Sequence, residues 1–122
     1  MITARTALSG ALLAILLAGC ASTPPPDGLR STAEGALASA EAADAEEHAP
    51  IELRFAREKL AGARLAVEER DYARAARLLE QSLVNSELAM AKTAAAKARE
   101  AVRRQDAANA ELRSDLTSGE EL

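Results

Sequence analysis

The chain has 122 residues, 48% of them hydrophobic and 28% charged, which leaves room for one small domain and not for a catalytic domain beside a regulatory one. Fifteen Lys and Arg against 19 Asp and Glu give a net charge of -4, which disfavours nucleic acid as a partner, since that ligand needs a basic face. The single cysteine excludes an intrachain disulfide or a multi-cysteine metal centre. Aromatic residues are confined to Phe55 and Tyr72, while alanine supplies about a quarter of the chain, a composition that predicts an all-α fold packed through small side chains, without β structure.

Taken in chain order, residues 1–19 read as a secretory signal peptide. Arg5 supplies the positive start, residues 8–17 the apolar run, and small residues follow. The run is too short to span a bilayer comfortably. It ends Leu17-Ala18-Gly19-Cys20, which resembles the lipobox of bacterial lipoproteins. The resemblance implies recognition of Leu17, Ala18 and Gly19 by the lipoprotein signal peptidase, and acylation of the Cys20 thiol. Several acyl chains, at about 0.8 kcal/mol per buried CH₂, hold a protein on a bilayer stably where one chain does not. Ala21 and Ser22 follow the cysteine, and not the Asp that favours inner-membrane retention in enterobacterial lipoproteins. The implied address is therefore the periplasmic face of the outer membrane. Residues 20–30, with Pro24-Pro25-Pro26, are expected to form a semi-rigid tether.

The helical domain is expected over residues 31–113. Ser31 and Glu34 stand at capping-box spacing, and Ala33, Ala36, Leu37, Ala40 and Ala43 then recur at steps of three and four. Pro50 kinks or ends this first helix and opens a second, along which Leu53, Ala56, Leu60, Ala63 and Val67 form a seam. Asp71 is placed to cap a long third helix with Tyr72, Ala76, Leu79, Leu83, Ser86 and Met90 on one face. With no Gly or Pro before Gly119, that helix is expected to reach about Leu112, leaving residues 114–122 as a disordered tail. The predicted fold is thus an antiparallel helical hairpin with an additional N-terminal helix, kinked at Pro50. Residues 27–50 hold six acids and one Arg, and residues 92–115 six bases and four acids. Opposite signs suggest that these segments lie close together, either with the first helix running along the distal third helix or in a compact three-helix bundle.

The pattern Ala49-Pro50, Glu52-Leu53, Ala56, Lys59-Leu60 and Ala63, then Asp71-Tyr72, Ala75-Ala76, Leu79 and Ala89, resembles domain of unknown function 4398, a family found in bacterial lipoproteins and envelope proteins. Some members are similar here and continue into an OmpA-like peptidoglycan-binding domain, which this chain, stopping at Leu122, is expected to lack. The resemblance transfers no catalytic residue. Gly62, Asp71-Tyr72, Ala75 and Leu79 also resemble half of a tetratricopeptide repeat, but no second 34-residue copy follows.

Site chemistry is sparse. His48 beside Glu46 and Glu47 reads as an exposed helix-end residue and not as a metal ligand, and Glu68-Glu69 and Glu120-Glu121 as solvated surface. Phe55 and Tyr72 are assigned to packing at the two ends of the hairpin. No phosphate loop or nucleophile motif appears, so no catalytic residue, metal or cofactor is expected. Lys92, Lys97, Ala101 and Arg104 mark the basic, alanine-faced part of the third helix as the candidate binding element for an unknown envelope protein. The plainer readings of the same stretch are a solvated helix surface or a face covered by the acidic first helix, with peptidoglycan or anionic lipid contact as a further alternative. The functional expectation is a non-enzymatic, outer-membrane-anchored periplasmic lipoprotein with a helical interaction or envelope-structural module. The alternative is a small accessory subunit of a periplasmic enzyme or transport complex.

Overall fold

Proline and aspartate decide where the helices begin and end. The structure, a computed structural model, describes residues 24–119; the signal segment, the lipobox, Cys20 and residues 120–122 lie outside them. Among the described residues four helices follow in order: α1 (Asp27–Ala42), α2 (Ala45–His48), α3 (Pro50–Glu68) and α4 (Tyr72–Gly119). There is no strand among the described residues.

α1 starts at Asp27, directly after the three prolines, and not at Ser31. Pro26 cannot donate, but its carbonyl accepts the first helical bond, from Arg30 N–H at 2.9 Å. Asp27 places a negative charge at the positive end of the helix dipole. The capping box expected at Ser31 does not form, because the helix has already started at Asp27 and Ser31 lies inside it; Glu34 pairs with Arg64 on α3 at 3.1 Å. α1 stops at Ala42, where Asp44 takes a left-handed conformation, φ 67°, one that Asp tolerates better than most residues. The chain then makes the single turn of α2 and re-extends at Ala49, φ -146°, so that Pro50 occupies the first turn of α3, where its missing N–H costs nothing. The expected kink at Pro50 is therefore two breaks, at Asp44 and at Ala49.

The α3–α4 turn is a Schellman motif with Arg70 in the left-handed region, φ 59°. Arg70 N–H bonds Val67 O at 3.0 Å, and Asp71 N–H bonds Ala66 O at 2.8 Å. Asp71 then caps α4 as expected, its Oδ1 accepting Arg74 N–H at 3.0 Å. α4 is 48 residues long, about 72 Å at 1.5 Å per residue. It passes Leu112 and continues through the expected tail to Gly119.

α3 returns antiparallel along the first half of α4, and α1 lies parallel to α4 in the groove they leave, so the arrangement is a compact three-helix bundle with α2 as its corner. Ala33 packs with Leu60, Ala63 and Leu79. Further along, Ala40 packs with Ala45, Ala49, Leu53 and Ala89, and Leu37 bridges the two clusters. Between them Ser82 donates to Ala56 O on α3 at 2.8 Å, a contact that only a small side chain permits.

The buried line of α4 is Ala75, Leu79, Ser82, Ser86, Ala89 and Thr93. The expected face shares only Leu79 and Ser86 with it. Tyr72, Ala76, Leu83 and Met90 flank the seam and are half-buried, because two helices approach through a narrow line of small residues and large side chains are displaced to its edges. The same holds on α3, where Ala66 is buried and Val67 only partly so. Phe55 is exposed at 39%, with the Arg54 guanidinium 5.2 Å over its ring, and does not pack at the hairpin end.

Candidate functional site

The distal part of α4 stands free of the bundle. From Ala101 to the end of the helix every residue is exposed except Asn109, which is half-buried and accepts a bond from Gln105 one turn earlier at 3.2 Å. This segment projects about 28 Å beyond the bundle at 1.5 Å per residue. It is reached through a set of ion pairs that fix the upper end of the bundle.

Two of the four residues assigned to partner binding belong to that set. Lys97 Nζ donates to Ala43 O at 2.9 Å and to Asp44 Oδ2 at 2.6 Å, a cation closing the carbonyl end of α1. The Lys97 hydrogen bond and charge hold the Asp44 carboxyl below its usual range. Lys92 pairs with Glu52 of α3, and that hydrogen bond likewise keeps the Glu52 carboxyl low. Ala101 and Arg104 lie on the projecting segment, exposed. Leu17, Ala18, Gly19 and Cys20 are outside the described residues.

The acids of α1 and α2 do not face the distal basic stretch as their charge pattern suggests. Arg57 on α3 binds Glu41 and Glu46, each at 2.8 Å, and these two carboxylates raise its pKa further. Among the described residues, the acid before α3 whose side chain pairs with a base of α4 is Asp44, with Lys97. The His48 side chain is 11% exposed, with Nδ1 4.0 Å from Glu100 Oε1, so it is enclosed against α4 and not the exposed helix end expected. Glu46 is committed to Arg57 and Glu47 is exposed. Among the described residues no three His, Cys, Asp or Glu side chains converge as a metal set.

Concave surface is limited. A cleft of about 240 Å³ is lined by Ala63, Val67 and Leu79, with Arg30 and Arg64 at its edge, and a wider, more open one of about 410 Å³ lies where His48 of α2 faces Ala91, Lys92, Ala95 and Arg99 of α4. No described helix is long and apolar enough to cross a membrane.

The outer side of α4 carries a signal that a search for basic patches misses. Eight large apolar residues are exposed among the described residues, and the five on α4 are Val84, Leu88, Val102, Leu112 and Leu116. All five fall on one line of alternating three- and four-residue steps, a heptad seam on the face turned away from α1 and α3. Applying the same spacing test to the second face of the helix finds it in the sequence.

Fold and surface together define an all-α bundle that displays one long helix. The chain belongs to the family described as domain of unknown function (DUF4398), whose model matches residues 29–105. That span takes in most of α1, all of α2 and α3, and the bundled part of α4, and ends at the start of the projection. No curated protein and no solved structure matches the chain.

Proposed function

We propose that the chain is a non-enzymatic lipoprotein of the bacterial envelope, held on the periplasmic face of the outer membrane by acylated Cys20, and that its helical bundle displays the end of α4 to a protein partner. One observation carries the reading: α1 and α4 run parallel, Ala33 lying beside Leu79 and Asp44 beside Lys97. The chain thus enters the bundle at the end opposite the projection. Gly119 stands 40 residues past Leu79 on one continuous helix, about 60 Å further along.

A tether over residues 20–26, about 20 Å when extended, would set the bundle just above the lipid and the tip of α4 well clear of it. Lys92 and Lys97 serve this display by pinning α4 to α3 and α1, leaving the face marked by Ala101 and Arg104 for contact. In-cell crosslinking of the full chain and of a version truncated after Glu100 tests the proposal. The truncated chain should keep its helical bundle and lose its crosslinked products; retention of all products would remove the display role.

A further inference from the structure

We infer that the outer seam of α4 is a self-association surface, on which a second copy of this chain docks in parallel and in register as a two-stranded coiled coil.

The seam runs from Val84 to Leu116 without a break in its spacing. Leu88, Ala95, Val102, Asn109 and Leu116 occupy one heptad position (a), and Val84, Ala91, Ala98, Gln105 and Leu112 the other (d). Every one of these residues except Ala95 and Asn109 is exposed. Exposure is 61% at Val84, 60% at Val102, 61% at Leu112 and 71% at Leu116. Over five heptads the two helices would share about 50 Å, and the three alanines in the middle bring their axes close. The buried line of α4, which holds α1 and α3, occupies different heptad positions on the far side of the helix. A second helix therefore clears α1 and α3, and of α2 it meets His48, which borders the seam beside Ala91 and Ala95.

The two amides and the flanking charges select a parallel partner. In register, Asn109 faces Asn109 and Gln105 faces Gln105 of the second copy, so each amide has an amide to bond; a single Asn at an a position specifies register in coiled coils. Glu87 then stands opposite Lys92 of the second copy. At the next three flanking pairs Arg99, Asp106 and Arg113 meet Ala94, Ala101 and Ala108, so between residues 87 and 113 no like charges are opposed.

Antiparallel pairing does worse in either near register. Setting Asn109 against Gln105 opposes Asp106 to Asp106 and Arg99 to Arg113. Sliding by one heptad relieves those pairs but sets Gln105 against Val102 and Asn109 against Ala98, burying amides without partners.

The test uses the full chain in mild detergent, with Cys20→Ala removing the native thiol and Leu116→Cys placing one on the seam. Mild oxidation should give a disulfide-linked dimer in most of the protein, and Ser114→Cys, on the opposite side of the helix, should give little. Cys20→Ala without the added thiol should sediment as a dimer, and the same chain carrying Leu112→Asp and Leu116→Asp as a monomer with unchanged bundle helicity. A monomeric parent, a dimer that survives the two aspartates, or absence of the crosslink in the Leu116→Cys chain would overturn the inference. Because Cys20 is replaced throughout, the outcome is independent of whether the chain is acylated.

Discussion

Leu79→Ala probes the packing of the bundle at its most consequential point. Leu79 is 1% exposed and is the α4 residue that meets both other long helices, through Ala33 and through Leu60 and Ala63. Removing three carbons forfeits about 2.4 kcal/mol of transfer free energy at about 0.8 kcal/mol each. The neighbours Ala33 and Ala63 are too short to close the space, so a cavity term adds to this, bringing the loss to about 3–4 kcal/mol. A domain of this size has roughly 5–15 kcal/mol in total, and the midpoint should fall by roughly 15 °C. Urea and thermal denaturation followed by circular dichroism measure both. Leu83→Ala, at a half-buried position beside the seam, should cost less than half as much. Equal losses at the two positions, or a loss below about 1 kcal/mol at Leu79, would refute the placement of the seam.

Three further outcomes follow from local features. Thr93 is 1% exposed and its Oγ1 has no hydrogen-bond partner, so Thr93→Val, which keeps the β-branched shape, should raise stability by about 1–2 kcal/mol in the same melts. Arg70 sits at φ 59° in the Schellman turn, and Arg70→Gly should stabilise by up to about 1 kcal/mol by removing a left-handed non-glycine. Asp44 and Glu52 have carboxyl pKa values lowered by Lys97 and Lys92, so their contribution is complete above the ordinary values of 3.8 and 4.5 and is lost as pH falls below them. Thermal midpoints measured from pH 6 to pH 3 should drop over that lower window, and the drop should shrink in a Lys92→Ala, Lys97→Ala double variant.

The helices are legible in the sequence because their punctuation is local. Pro50 and Asp71 announce two helix starts by chemistry that needs no tertiary partner, and the steps of three and four identify the faces to within one residue. That one residue is what local pattern does not supply. A reader weighting large side chains assigns Leu83 and Met90 to the core, whereas α3 approaches α4 closely enough that Ser82 and Ala89 take the centre. The start of α1 escapes the sequence because Ser31 and Glu34 have capping-box spacing, whereas the helix runs back to Asp27, directly after the prolines, and so encloses Ser31. Charge misleads for a related reason: Lys92 and Lys97 read as a basic patch in one dimension, but the fold brings Asp44 and Glu52 to them. His48 deceives in the same way, since its enclosure comes from α4, and its facing carboxylate, Glu100, is distant in sequence.

The central claim is that Cys20 carries lipid and that this bundle therefore works from a membrane surface. Labelled palmitate fed to cells expressing the full chain, followed by separation of inner and outer membranes, measures it directly. Label is expected on the wild-type chain in the outer-membrane fraction, together with an unlabelled Cys20→Ala chain that leaves that fraction. An unlabelled wild-type chain, or a Cys20→Ala chain that fractionates unchanged, would contradict it.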